Sequence, residues 1–468
     1  MQAHQGIALP LFAIHRDNRP TRGEFFDLIP LIQWCSEVGF DTIELLPLYD
    51  TGGDPSPYNP ISSCALDPLY LSLEESSLNK WDLLRTLYFK VSPEPDYFAF
   101  LESHPWVKPY ALFRALWEAY GKTPWTQWAE DAEGPTAAAY ERHKETVDFY
   151  AYLQFLCFRQ MKKVKAFAEK CGVFLKGDLP ILLSPQSADV WCHRDLFDQH
   201  LVAGAPPDVY NQLGQKWGFP LFRWETDHFF WWKERMSTIS ELYHLYRIDH
   251  VVGFFRIWAI PEDKLASEGS FIPPDASLWG EQGRKHLEVL INATSALPMA
   301  EDLGTIPPEV HPILKDLGIC STKVVRWQRD EHGKYIPFNQ YEPLSMTTLS
   351  TADMDPLPLW WRKFPDEAAP LASMKGWEYD PTLSRDQHFQ LLCDSMHTSS
   401  LFHINPLQEF LLLFPELSWD DLEKERINYP GTLNPQNWSY RFRPSLEQMM
   451  SHENLKRAIR QIIGKAVQ

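Results

Sequence analysis

The chain has 468 residues, of which 44% are hydrophobic, and a formal net charge of −18 from 44 basic and 62 acidic side chains. This length and composition suffice for one large domain. Because an acidic surface repels phosphate backbones and anionic lipids, the charge argues against nucleic acid and membrane surfaces as partners and is compatible with a neutral substrate.

Eight short apolar runs, most of them continuous rather than alternating, are typical of strands buried on both faces. Helical spacing occurs between several of them, at Arg22–Val38, His228–Tyr243 and Gly280–Ala296. The sequence therefore predicts an α/β fold, a (β/α)8 TIM barrel with helical insertions, and a doubly wound open sheet is the alternative. The predicted strand segments are Gly6–Ile14, Asp41–Leu48, Val173–Ile181, Leu245–Phe255, Leu297–Leu303, Ser321–Trp327, Thr347–Asp353 and Ser400–Leu407.

Residues 71–170 interrupt this alternation after the second strand. Tyr110–Tyr120 and Phe149–Cys171 have helical spacing, and Pro and Trp punctuate the region between them. We predict a helical insertion at 71–170 within a single catalytic domain that spans residues 1–468 and ends with a helix at Glu453–Lys465.

The seven cysteines are scattered and form no CxxC pair, which favours reduced thiols over disulfides or a zinc site. The first residues lack a basic stretch followed by an apolar run, and no apolar run is long enough to span a membrane. These features predict a cytoplasmic protein.

Four acidic residues, Asp178, Asp249, Glu301 and Asp353, stand at the ends of predicted strands. In a barrel, the carboxyl ends of the strands surround the active site. Retaining glycoside chemistry needs two carboxyl groups about 5 Å apart, and a third can stabilise the transition state. Each acid alone could equally cap a helix or pair with an arginine, so spacing by itself does not name the reaction.

Arg247 stands two residues before Asp249 in the segment Leu-Tyr-Arg-Ile-Asp. Side chains two positions apart point to the same face of a strand. We therefore expect Arg247 to lie beside Asp249, where its charge would keep the carboxylate ionised.

The segment Tyr246–Trp258 resembles the nucleophile segment of amylomaltases, the 4-α-glucanotransferases of glycoside hydrolase family 77. Its last five residues, Phe-Phe-Arg-Ile-Trp, resemble those of the cytosolic plant disproportionating enzyme and its bacterial relatives. Ala300–Gly304 resembles the acid/base segment of the family, and Gly177–Ile181 resembles its third-strand motif. Further family-like motifs follow the same order along the chain, at Ser56–Tyr58, Gly204–Asp208, Gly214–Gly218, Arg426–Thr432 and Asn437–Trp438.

This resemblance implies a retaining barrel enzyme that moves segments of an α-1,4-glucan to the 4-OH of an acceptor glucan or glucose, with no cofactor and no metal. By the resemblance, Asp249 would be the nucleophile, Glu301 the general acid/base and Asp353 the transition-state stabiliser. Arg247 would orient Asp249, and Asp178 would bind sugar hydroxyls. The remaining substrate-binding residues implied are Tyr58, Ser56, Gln215, Trp217 and Asn428.

One position departs from the family pattern, in which Thr-His-Asp precedes the stabilising aspartate. Here Ala352 occupies the histidine position, and it cannot donate a hydrogen bond to the donor sugar. Asp355, two residues beyond Asp353, is the alternative stabiliser. Two other functions stay open at this point: an α-glucan hydrolase, and a glucan-binding protein with a weakened site.

Overall fold

A computed structural model describes residues 3–19, 21–73, 79–88, 94–207, 212–224, 226–432 and 434–464. These residues form twelve strands: β1 His4–Leu9, β2 Thr42–Leu45, β3 Phe174–Leu179, β4 Phe197–Ala205, β5 Gln215–Phe222, β6 Leu245–Ile248, β7 Ile257–Pro261, β8 Ser270–Ile272, β9 Leu297–Ala300, β10 Ser321–Val324, β11 Ser345–Thr348 and β12 Phe402–Pro406.

The α-helices of the described residues are α1 Leu28–Val38, α2 Lys80–Tyr88, α3 Pro95–Ser103, α4 Val107–Ala119, α5 Ala137–Arg142, α6 Lys144–Lys170, α7 Ala188–Cys192, α8 Phe230–Leu242, α9 Trp279–Asn292, α10 Val310–Asp316, α11 Leu357–Lys363, α12 Pro365–Met374, α13 Arg385–Ser395, α14 Leu407–Leu411, α15 Leu446–Ser451 and α16 Glu453–Ile462. Among the described residues, we find no helix with the length and apolar character needed to cross a membrane.

Eight parallel strands form one sheet in the order β10-β11-β12-β1-β2-β3-β6-β9. The two end strands also meet, because the Ala300 N–H donates to the Cys320 carbonyl at 2.8 Å. The Thr322 hydroxyl donates to the Ala300 carbonyl at 2.7 Å across the same seam. The sheet is thus a closed barrel, and the predicted (β/α)8 fold is confirmed.

The interior of the barrel is apolar in part and charged in part. Leu245, Met299, Met346 and other side chains from β6 to β12 form one buried cluster. On β3, the ammonium of buried Lys176 lies 2.9 Å from a carboxylate oxygen of Glu44 on β2. Alternate side chains of a strand share a face, so Asp178, two residues after Lys176, also points into the barrel. It lies nearer than Lys176 to the carboxyl ends of the strands.

Several predicted strands end earlier in the structure than the apolar pattern indicates. The run from Leu245 to Phe255 forms a strand only to Ile248, and Val251–Phe254 is a short 3-10 helix. Val251 and Phe254 are fully buried although they lie outside the strand. An apolar run indicates that residues are buried, not that their backbone is extended, so it does not show where such a strand ends.

A second sheet, which the sequence does not predict, is antiparallel and has the strand order β5-β4-β7-β8. Its strand β5 is mostly half-buried and contains Gly218 and Pro220. It carries no long apolar run, and glycine and proline weaken a strand prediction. This sheet brings Gln215 and Trp217 to the cavity described below.

Helices α2 to α6 lie between β2 and β3, within the predicted insertion at 71–170. Residues 74–78 and 89–93 of this insertion lie outside the described part of the chain. The longest of them, α6, packs against α1, α3 and α4. The closing helix is α16, and Lys465 at the end of its predicted range lies outside the described residues. The single-domain division stays a prediction.

Candidate active site

A cavity of about 310 Å³ opens at the carboxyl ends of the barrel strands. Asp249 directly follows β6, Glu301 directly follows β9, and Asp353 lies in the loop after β11. All three carboxylates line the cavity, together with four other predicted site residues, Tyr58, Gln215, Trp217 and Asn428. The barrel thus gathers acids from three strands at one opening.

The guanidinium of Arg247 connects three carboxylates. Its Nη1 donates to both oxygens of Asp178, at 2.9 Å each, and to Oδ1 of Asp249 at 2.8 Å. Its Nη2 lies 4.0 Å from Oε2 of Glu301. The predicted position of Arg247 beside Asp249 agrees with this geometry. One cation lies close to three carboxylates and offsets part of their mutual repulsion.

Backbone groups hold the carboxylate of Glu301. The N–H of His250 donates to Oε2 at 2.8 Å, and the N–H of Leu303 donates to Oε1 at 3.1 Å. Burial raises the pKa of Glu301, whereas Arg247 and these two N–H groups lower it. A raised pKa favours the protonated form that a general acid needs.

The pKa of Asp249 is raised to about 6. Burial is the largest cause, the carboxylates of Glu301 and Asp353 also raise the pKa, and Arg247 lowers it. Burial also raises the pKa of Asp178 to about 6, against the lowering effect of Arg247. Arg247 therefore favours the ionised form of Asp249, in the direction expected, while burial acts against it.

Asp353 is exposed to the cavity, and its Oδ1 accepts a hydrogen bond from the Asn428 side-chain amide at 2.6 Å. Asp355, the alternative stabiliser, is buried and paired with Arg426 and Lys363. It does not line the cavity, so the geometry favours Asp353 over Asp355 for contact with a substrate.

Aromatic side chains form two walls of the cavity. The Tyr58 hydroxyl donates to Asp178 Oδ2 at 2.6 Å, and the Tyr58 ring lies 5.4 Å from that of Trp438. On another wall, the Trp217 ring packs edge-on against His250, with 5.0 Å between ring centroids, and its Nε1 donates to the Gln215 side chain. Such rings can stack on the apolar faces of sugars.

Two predicted features lie elsewhere. Ser56 does not line the cavity; its hydroxyl accepts from the Tyr58 N–H at 3.3 Å and so shapes the turn that carries Tyr58. Its role in binding substrate stays a prediction. Asp208, the last residue of the motif at 204–208, lies outside the described residues.

His250 and Trp438 line the cavity although residue-by-residue reasoning did not select them. Both have left-handed backbone conformations, with φ of 46° and 60°, which non-glycine residues adopt mainly where the surrounding structure imposes them. Burial lowers the pKa of His250 to about 4, so its imidazole is neutral at neutral pH. The signal for each was its place inside a family-like motif.

The closed barrel and its cluster of carboxylates around one arginine are compatible with an enzyme of the glycoside hydrolase class. Residues 9–91 and 75–447 match the model of glycoside hydrolase family 77, described as 4-alpha-glucanotransferase. The chain belongs to this family, and the predicted family and 4-α-glucanotransferase activity are confirmed. Its substrates are α-glucans.

A 4-alpha-glucanotransferase of Chlamydia muridarum is 41% identical over 96% of this chain and 93% of its own length. The 4-alpha-glucanotransferase DPE2 of Oryza sativa subsp. japonica is 24% identical over 98% of this chain and 69% of its own length. An amylomaltase from Streptococcus agalactiae, solved in complex with acarbose, superposes with a TM-score of 0.82 at 22% identity and covers 100% of both chains. This last likeness supports the fold.

Proposed function

We propose that the enzyme moves segments of α-1,4-glucan from a maltooligosaccharide, glycogen or starch-like donor to the 4-OH of an acceptor glucan or glucose. The observation that carries the proposal is the position of Arg247, which binds Asp249 at 2.8 Å and lies within 4.0 Å of Glu301. One arginine thus keeps both carboxyl groups at the same site, as a pair of nucleophile and acid/base requires. The seven cysteines, all free thiols, agree with a cytoplasmic location.

In the first step, Asp249 attacks the anomeric carbon. Its Oδ1 accepts a hydrogen bond from Arg247, which leaves Oδ2 for the new C–O bond. Glu301 donates its proton to the glycosidic oxygen as that bond breaks, and the reducing-end part leaves. Asp353, facing the same cavity, stabilises the positive charge that develops on the sugar ring.

In the second step, Glu301, now a carboxylate, accepts a proton from the acceptor 4-OH. The acceptor oxygen attacks the anomeric carbon and releases Asp249. Two inversions at one carbon retain the α configuration. Transfer rather than hydrolysis follows where the acceptor side of the cavity favours a sugar over water.

Binding groups surround these acids. Asp178 and Tyr58, joined by a 2.6 Å hydrogen bond, would hold the donor sugar beside Asp249. Gln215, Trp217 and Asn428 would line the neighbouring glucan subsites. Ser56 would contribute through the turn that carries Tyr58.

We place the acceptor chain on the side of Glu301. A groove of about 790 Å³ is lined by Leu303 and Gly304, just beyond Glu301, and by Trp327. The leaving part departs on the side of the general acid, so an acceptor enters from that side. Trp327 is 43% exposed and could stack on a glucose unit there.

Incubation with maltotriose tests the proposal. We expect free glucose together with maltooligosaccharides longer than maltotriose, separated by anion-exchange chromatography. Glu301→Gln, which cannot exchange a proton with the substrate, is the control and should form neither product. Glucose and maltose without longer products would instead support a hydrolase, and binding without turnover would support a glucan-binding protein.

The pH dependence of kcat/KM should show an acidic limb near pH 6. The nucleophile must be ionised, and the pKa of Asp249 is raised from its ordinary value of 3.8 to about 6. Activity should therefore rise as pH increases through about 6. Initial rates with maltotriose between pH 4 and 9 measure this. An acidic limb near pH 4, in enzyme that regains full activity after return to pH 7, would contradict it.

Restoring the family histidine should accelerate the enzyme. Ala352 is half-buried beside Asp353, and Ala352→His adds a donor for a hydroxyl of the donor sugar. One hydrogen bond contributes about 1 kcal/mol, so we expect kcat/KM for maltotriose to rise roughly fivefold. Ala352→Leu adds bulk without a donor and should not increase it. Equal losses for both variants would indicate that another side chain needs this space.

A further inference from the structure

Arg426 joins two loops that meet at the edge of the cavity. We name residues 349–356 the aspartate loop, because it carries Asp353, and residues 426–432 the asparagine loop, because it carries Asn428. Arg426 Nη2 donates to the Asp353 carbonyl at 3.2 Å and to the Asn428 carbonyl at 2.8 Å. Its Nη1 donates to Asp355 Oδ1 at 2.5 Å.

Asn428 makes a second connection between the same loops. Its side-chain amide donates to Asp353 Oδ1 at 2.6 Å, and its backbone N–H donates to the Ala352 carbonyl at 3.2 Å. The orientation of the Asp353 carboxylate therefore depends on the position of Asn428, which Arg426 fixes through the Asn428 carbonyl.

The two ends of the aspartate loop have a separate anchor. Buried Glu409 on α14 accepts the Ser350 hydroxyl at 2.5 Å and the Leu357 N–H at 3.0 Å. These bonds hold the loop where it leaves β11 and where it enters α11. In the middle of the loop, Arg426 and Asn428 hold Asp353, and Arg326 donates to the Asp355 carbonyl at 2.9 Å.

We propose that Arg426 is a positioning residue, which holds Asp353 in the orientation that stabilises the transition state. The inference rests on the proposed role of Asp353 as stabiliser. The planar guanidinium can donate along several directions at once and so reaches two carbonyls and one carboxylate. Without it, the carboxylate would still be present in the cavity but displaced or mobile, and a displacement of about 1 Å can cost roughly 100-fold in rate.

The chain offers a matched control. Lys363 also pairs with Asp355, at 3.3 Å, but contacts Glu423 rather than Asp353 or Asn428. Lys363→Met thus removes one cation from Asp355 and leaves in place the hydrogen bonds of Arg426 and Asn428 to the aspartate loop; the contact of Lys363 with Glu423, which accepts from the Tyr429 hydroxyl, is the only other link it removes among the described residues. Arg426→Lys retains a cation near Asp355, which preserves folding, but an ammonium cannot span the other partners.

The test measures kcat and KM for maltotriose disproportionation in the full-length enzyme. We expect Arg426→Met and Arg426→Lys to lower kcat by roughly 10- to 100-fold with KM within about twofold, and Lys363→Met to stay within about twofold of the wild type. With α-maltotriosyl fluoride, whose leaving group needs no proton, the loss should persist, because the defect concerns charge on the sugar rather than proton transfer by Glu301.

Unchanged kcat in Arg426→Lys would overturn the proposal, and this variant decides the matter if Arg426→Met does not fold. An equal loss in Lys363→Met would also overturn it, because the charge beside Asp355 would then be responsible. Wild-type enzyme that fails to disproportionate maltotriose would reject the proposed function itself.

Discussion

Asp249→Asn is expected to lower the rate of glucan transfer by roughly 10⁴-fold or more, because residues that act as a catalytic unit cost this much when one is removed. The amide is isosteric with the carboxylate, and its carbonyl can still accept from Arg247. It cannot form the glycosyl-enzyme ester. Chromatography of maltotriose products measures the loss, and activity within tenfold of the wild type would exclude Asp249 as the nucleophile.

The same substitution is expected to stabilise the fold at neutral pH. The pKa of Asp249 is raised in the folded state, from 3.8 to about 6, so the folded protein binds this proton more tightly than the unfolded chain. Stability from this group is fully present below about pH 4 and is lost as pH rises through about 6. The charged form thus costs up to about 3 kcal/mol at pH 7.

Calorimetry checks this effect on stability. Asp249→Asn should raise Tm at pH 7, and the gain should shrink as the pH falls toward 4. Exposed Asp263 lies outside the cavity, and Asp263→Asn is the control, with Tm and transfer rate unchanged. A lower Tm for Asp249→Asn at pH 7 would show that its bond to Arg247 outweighs the cost of burying its charge.

Arg247→Met is expected to have the largest effect on stability. It removes the cation that lies within 4.0 Å of Asp178, Asp249 and Glu301, and leaves these carboxylates only hydrogen bonds from neutral groups, such as those from the Tyr58 hydroxyl and the His250 N–H. Breaking a fully buried ion pair from one side costs about 3–5 kcal/mol, and the partial exposure of Arg247 and Asp249 places the expected loss at the lower end of this range. Urea unfolding at pH 7 measures the loss, which should be smaller at pH 5, where the carboxyl groups with raised pKa are partly protonated.

Arg247→Lys is the matched variant for this prediction. It keeps the charge but not the geometry that reaches two aspartates from one guanidinium nitrogen. We expect it to recover most of the stability and little of the activity. An Arg247→Met enzyme as stable as the wild type at pH 7 would contradict the view that this cation compensates the cluster.

The barrel could be predicted from the sequence because its strands are buried on both faces and therefore appear in the sequence as continuous apolar runs. The run at Leu245–Phe255 shows the limit of this reasoning, since only its first four residues are a strand. The antiparallel sheet escaped prediction because strands such as β5 are half-exposed and interrupted by glycine and proline.

The acids of the site were accessible because strand ends in a barrel converge. Asp249 and Glu301 directly follow β6 and β9, so their convergence needs no knowledge of loops. The choice between Asp353 and Asp355 could not be made in this way, because it depends on contacts with Arg426 and Lys363 from distant parts of the chain. The positions of the His250 and Trp438 side chains in the cavity depend on left-handed backbone conformations. Only glycine signals such a conformation locally in a sequence, so these two positions could not be predicted from their residue types.

The pairing of the first and last strands of the barrel has a consequence for biosynthesis. His4 on β1 pairs with Phe402 on β12, and Asn428 and Trp438 lie beyond β12. A growing chain on the ribosome therefore exposes one unpaired edge of β1 until nearly all of the protein has been translated, and such edges invite aggregation. It also has no complete catalytic cavity before that moment, so nascent or prematurely terminated chains cannot act on glucan.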